Sequence, residues 1–95
     1  MTHVEERLKI RYGITGVTPA KLKYYTLNYG EKIVDSKSGG TIYKLTLEGK
    51  VLFPVMRNGN VVTVYWRNYV DKVVYAEWAH NKKKLEKIRR ILEGR

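Results

Sequence analysis

His3, Arg7 and Arg11 recur at every fourth position of the first segment, and residues so spaced share one edge of a helix. At about 100° per residue, Arg7 stands roughly 40° and Arg11 roughly 80° around from His3. Val4, Leu8 and Tyr12 occupy the adjoining sector, whereas Glu5 and Glu6 point elsewhere. Histidine titrates nearest neutral pH, and a guanidinium binds phosphate oxygens in a two-pronged geometry that lysine cannot copy. An edge of this kind has the chemistry to grip a phosphodiester. Metal-free RNA cleavage requires a base for the ribose 2′-oxygen, an acid for the 5′ leaving oxygen and cations for the phosphorane; carboxylates are optional.

A second locus is the run Asn60 to Trp66, where strict alternation puts Val61, Thr63 and Tyr65 on one face and Val62, Val64 and Trp66 on the other. Thr63 is the only short hydroxyl there. If its face fronts the first helix, Thr63 can donate to a phosphate, and Tyr65 can serve as acid, phosphate ligand or base-stacking ring. Each feature has a plainer explanation: solvated arginines on an amphipathic helix, β-propensity for Thr63, and core filling for Tyr65 and Trp66. His80 has no neighbouring acid or second histidine in sequence and reads as a surface or interface residue. Tyr24, Tyr25, Tyr29 and Tyr43 interleave with lysines in a manner compatible with base stacking.

The 95 residues make one domain. Nineteen Lys and Arg against nine Asp and Glu give a net charge of +10, a field that attracts polyanions, so nucleic acid, RNA or DNA, is the expected partner. Lys44 and the cluster Lys82, Lys83, Lys84, Lys87 and Arg90 are the expected contacts to it. There is no cysteine, which excludes disulfides and thiolate zinc sites, and two distant histidines would hold a metal poorly. Neither a metal nor a cofactor is expected. No phosphate-binding glycine loop, dinucleotide fingerprint, Ser/His/Asp set or paired-carboxylate pattern occurs, which leaves phosphotransfer, hydride transfer and glycoside hydrolysis unsupported. No apolar run approaches the roughly 20 residues of a membrane span, and the N-terminus lacks a signal-peptide pattern. A soluble, cytoplasmic protein is expected, or one released without a signal peptide.

The elements that must position these residues follow from punctuation and period. Thr2 is an N-cap and Gly13 a stop, predicting a first helix to Tyr12. Thr18-Pro19 opens a second, from Ala20 to about Tyr29, ended by Gly30. Strand signals start near Glu31 and are divided at Gly39-Gly40, Glu48-Gly49 and Asn58-Gly59. Thr41 to Leu47 alternates as a half-buried strand, and Asn58-Gly59 joins Val51 to Met56 with Asn60 to Trp66 in a hairpin. Pro54, lacking an N–H, predicts an outward non-bonding side or a bulge. Val70, Val73, Val74, Trp78, Leu85, Ile88 and Leu92 fall at helical spacing, predicting one long helix from about Tyr69 to Glu93 with a very basic second half. The expected fold is α+β: two N-terminal helices, a meander of about four antiparallel strands and a long basic C-terminal helix, with helices packed on one sheet face.

The order His3-x-x-x-Arg7-x-x-x-Arg11, Gly13-Ile14, a short helix, a meander and an Asn-Gly hairpin closing on Val62, Thr63, Val64 and Tyr65 resembles small toxin-type ribonucleases of the barnase/EndoU/colicin/RelE-like superfamily. The likeness covers residues 3–66, about two-thirds of the chain. It implies metal-free RNA cleavage that leaves a 2′,3′-cyclic phosphate, with the first helix laid across the concave side of the sheet and a phage, archaeal or toxin–antitoxin setting. His3, Arg7 and Thr63 carry over most directly, followed by Arg11 and Tyr65. The basic segment after Trp66 and the Pro54 interruption depart from the pattern. Two other readings fit the same charge: a nucleic-acid-binding module without catalysis, and a docking surface for an acidic inhibitor or antitoxin protein.

Overall fold

The computed structural model describes residues 2–36 and 40–94. Helix α1 (His3–Tyr12) is opened by Thr2, whose hydroxyl accepts from the Glu5 N–H and donates to the Glu5 carboxylate. This reciprocal cap makes His3 the first residue of a fastened helix. At its far end Gly13 adopts φ 66°, which turns the chain so that the Ile14 N–H reaches back to the Leu8 carbonyl. Helix α2 (Pro19–Tyr29) starts from the Thr18 cap with Pro19 at its first position, as its sequence predicts. Gly30 ends it in extended backbone, and a Cβ there would overlap the Thr26 carbonyl oxygen. Close approach, and not positive φ, requires that glycine.

Four strands follow as an antiparallel meander in the order β1 (Glu31–Asp35), β2 (Thr41–Leu47), β3 (Lys50–Arg57) and β4 (Asn60–Tyr65). The turns at Glu48-Gly49 and Asn58-Gly59 have positive φ at both central residues, as two-residue hairpins require. Gly39 of the expected Gly39-Gly40 division lies outside the described residues. Pro54 sits buried in an inner strand, opposite Val64. On its other side the β2–β3 pairs pass from Ile42↔Val55 to Leu45↔Leu52, so the ladder skips the positions beside the proline.

The α+β class is as expected, with two differences. First, the terminal helical segment is divided into α3 (Arg67–Trp78) and α4 (Lys82–Glu93). Trp78 and Leu85 stand seven residues apart, a spacing that continues a helical stripe across the break. The position between them that should be apolar is Asn81, which caps α4 by accepting from the Lys84 N–H. Second, helices cover both sheet faces. Val4, Leu8, Ile14 and Leu22 pack with Leu45, Leu52, Met56, Val61 and Val64 on one face. Val70, Val74, Leu85, Ile88 and Leu92 pack with Ile42, Phe53 and Val55 on the other. Splitting the terminal segment lets α3 and α4 fold back on each other and cover that second face. Among the described residues no helix is long and apolar enough to cross a membrane.

Leu8 is 1% exposed and Ile10 64%, which fixes the inward side of α1. In urea denaturation Leu8→Ala is expected to cost about 2–5 kcal/mol. Ile10→Ala should stay within about 0.5 kcal/mol of the parent. Equal losses would contradict this orientation.

Candidate nucleic-acid cleft

The last strand carries an irregularity that sequence alternation cannot show. Pairing with β3 runs Phe53↔Tyr65, Pro54↔Val64 and Val55↔Thr63, then shifts to Met56↔Val61, leaving Val62 as an extra residue. This bulge puts Val61 and Val64 together in the core under α1, separating Val61 from the Thr63/Tyr65 face with which strict alternation groups it. Thr63 and Tyr65 are half-buried on the opposite face.

Helix α1 packs along β4, the outer strand, instead of lying across the sheet as the family likeness implies. Its Val4 and Leu8 go under one face. The adjoining edge of the helix, with His3, Arg7 and Arg11, is thereby carried around the strand toward the side that holds Thr63 and Tyr65. Side chains of α1 bind the strand's carbonyls: Arg11 Nη1 donates to Val64 O at 2.7 Å and the Tyr12 hydroxyl donates to Tyr65 O at 2.5 Å. Lys50 Nζ donates to the Tyr12 carbonyl at the end of the helix.

These contacts gather His3, Arg7, Arg11, Thr63, Tyr65, Trp66 and Tyr69 around an open cleft of about 280 Å³. All five expected catalytic residues line it. His3 Nε2 lies 3.1 Å from Thr63 Oγ1. A neutral ring with its proton on Nδ1 accepts from the hydroxyl and an imidazolium donates to it, so the pair persists in either protonation state. Arg7 makes no hydrogen bond or ion pair among the described residues. The lining holds no carboxylate. Partial burial, and after it the neighbouring Arg7 charge, hold Arg11 below its ordinary value, a shift that leaves it cationic at neutral pH. Two guanidiniums of one sign, partly desolvated and facing a hollow without an acid, form a place where an anion relieves repulsion.

Burial, and then Tyr69, push the Tyr65 phenol up; its ring meets that of Tyr69 edge-on at 4.6 Å. At neutral pH the Tyr65 phenol therefore keeps its proton and is placed as a donor. Trp66 and Tyr69 are the members that reading the sequence for chemistry missed, Trp66 having been read as core filling. Trp66 lies under the Arg11 guanidinium at 5.5 Å, and it occupies the N-cap position of α3 without a side-chain hydrogen bond to that helix. The helix start expected near Tyr69 left Trp66 in the strand, whereas α3 begins at Arg67 and makes Trp66 its cap position.

The expected basic contacts lie elsewhere. Lys44 faces α4 and donates to the Ile91 carbonyl at 2.8 Å, satisfying the last turn of that helix. Lys84 lies over the Trp78 ring at 3.8 Å, and Arg90 pairs with Glu86. Lys82, Lys83 and Lys87 are exposed. Lys84 and Lys87 border a hollow of about 270 Å³ between β1 and α4, beside Lys32 and Asp35. Lys82 borders another, of about 510 Å³, between α3 and α4, with Glu86 and Arg89. His80 stacks on Trp78 and takes no part in the cleft. Among the described residues no group of three potential metal-ligating His, Asp or Glu side chains gathers.

Compared with protein-family models, with curated proteins and with solved structures, the chain matches none.

Tyr12, like Tyr65, is pushed up by burial. For both, the unfolded chain loses its proton first as pH rises past about 10. The folded state is then penalised, so stability is unaffected by these groups below that pH and falls above it. Tyrosinate absorbance should show a late-ionising phase that shrinks in Tyr65→Phe. A Tyr65→Phe protein with an unchanged late phase would remove the assignment.

Proposed function

We propose that the protein is a metal-independent ribonuclease that cleaves RNA by attack of the ribose 2′-hydroxyl on the adjacent phosphorus. The observation that carries this reading is the meeting of His3, Arg7 and Arg11 from α1 with Thr63 and Tyr65 from β4 around one cleft, with His3 3.1 Å from Thr63. Arg7 and Arg11 hold the non-bridging oxygens and take up the charge that grows on them in the phosphorane. His3 removes the 2′-proton. As the new O2′–P bond forms, the P–O5′ bond breaks, and the leaving oxygen is protonated by Tyr65. The products are a 2′,3′-cyclic phosphate and a free 5′-hydroxyl. Bound substrate displaces the Thr63 hydroxyl from His3 Nε2, which frees that nitrogen as the base and the hydroxyl proton for the phosphate. The resemblance to small toxin-type ribonucleases supports the same chemistry, and an RNA substrate goes with a cytoplasmic site of action.

A second reading is a nucleic-acid-binding module without turnover, for RNA or DNA. It is favoured by Arg11, whose guanidinium is already engaged by the Val64 carbonyl and the Trp66 ring, and by the exposed Lys82, Lys83 and Lys87. An acidic inhibitor or antitoxin protein would meet the same positive field.

Incubation with transfer RNA and messenger RNA in EDTA should yield fragments ending in cyclic phosphate. His3→Ala and Arg7→Ala should lower the rate by about 10²–10⁴-fold, and Thr63→Val by less, with circular dichroism unchanged. Intact RNA after exposure to micromolar protein, together with binding that weakens steeply with salt, would transfer the conclusion to the second reading.

A further inference from the structure

Trp66 and Tyr69 stand on the rim of the cleft and belong to neither core cluster. Each is 48% exposed. The other tryptophan, Trp78, packs against the core. Large rings left in solvent bury little apolar surface where they stand, and their placement beside unneutralised cations gives them another use. Arg11 lies over Trp66, and Tyr65 packs against Tyr69. Aromatic surface and phosphate-facing groups are therefore one side chain apart, much as the base and the phosphate of a nucleotide are separated by one sugar.

We propose that Trp66 and Tyr69 form a nucleobase-stacking subsite, which makes single-stranded RNA the ligand class of the cleft. The proposal rests on the reading of His3, Arg7 and Arg11 as a phosphate centre. A ring face accepts any base, but only one freed from its neighbours, because bases inside a duplex already stack on each other. The cleft lining contains no amide side chain to read a base edge, so recognition by stacking tolerates sequence.

Binding is measured with 2′-O-methyl RNA, which lacks the nucleophilic hydroxyl and stays intact, as a single strand and as a duplex, with inorganic phosphate as competitor. Trp66→Ala and Tyr69→Ala should each weaken single-strand binding roughly five- to 100-fold, the range of one aromatic–base stack, and weaken duplex binding far less. Trp66→Phe and Tyr69→Phe keep a ring and should bind nearly as the parent does. In a Trp78→Phe protein the remaining tryptophan fluorescence reports Trp66; the indole N–H of Trp78 has no acceptor among the described residues. Adenosine monophosphate should quench that fluorescence and inorganic phosphate should not.

Single-strand affinity unchanged in both alanine variants, or lost as fully in Trp66→Phe as in Trp66→Ala, would overturn the subsite. His3-dependent cleavage with unchanged Trp66→Ala binding would remove the subsite and keep the ribonuclease. Quenching and ring-dependent binding without cleavage would keep the subsite and remove turnover.

Discussion

The attachment of α1 to the carbonyls of β4 governs the rest of the site. Arg11 and Tyr12 donate to the carbonyls of Val64 and Tyr65 in this outer strand, while Val4 and Leu8 fill the space beneath. Because the two bonds fall on consecutive carbonyls, they set how far along the strand the helix sits. Arg7 and His3 then follow one and two turns back, opposite Thr63. The arrangement that closes the sheet margin is also the one that builds the cleft, and Arg11 belongs to both.

The positive charge is less available than the composition implies. Lys44, Lys50 and Arg67 donate to the carbonyls of Ile91, Tyr12 and Leu92, at the C-terminal ends of helices, where a cation meets the negative end of the peptide dipoles. Two of the remaining basic surfaces, the cleft and the lysine-rich start of α4, are well apart. The cleft lies at the β4 margin and the start of α3, whereas α4 contacts β1, three strand spacings or about 14 Å across the sheet. The lysine-rich start of α4 is also at the opposite end of the α3–α4 hairpin from Trp66, about 18 Å along a 12-residue helix. A single phosphate cannot be shared between them.

Caps, turn pairs and apolar period made most elements readable from the chain. Thr2, Gly13, Thr18-Pro19 and Asn58-Gly59 each have one local job, and the structure uses each of them so. The grouping of His3, Arg7 and Arg11 was equally legible because α1 is regular. Three features were not. Asn81 interrupts a stripe whose spacing is in phase on both sides, so the split of the terminal segment has no periodic signature. Val62 looks like one more alternating valine, and its bulge is a property of pairing with β3. Lys44 reads as a surface cation because its acceptor, the Ile91 carbonyl, is 47 residues away in sequence. Local chemistry was visible, and the destination of long side chains was not.

Both outer strands carry a bulge, at Ile33 in β1 and at Val62 in β4. Each adds a residue that its inner neighbour does not match, which sharpens the local twist and breaks the even spacing of the exposed backbone groups. On β1, Lys32 and Asp35 flank the irregularity as a surface ion pair. A straight foreign strand laid alongside would fall out of step within a few residues and meet charge where it needs amides, so the sheet resists growing into a fibril from that side.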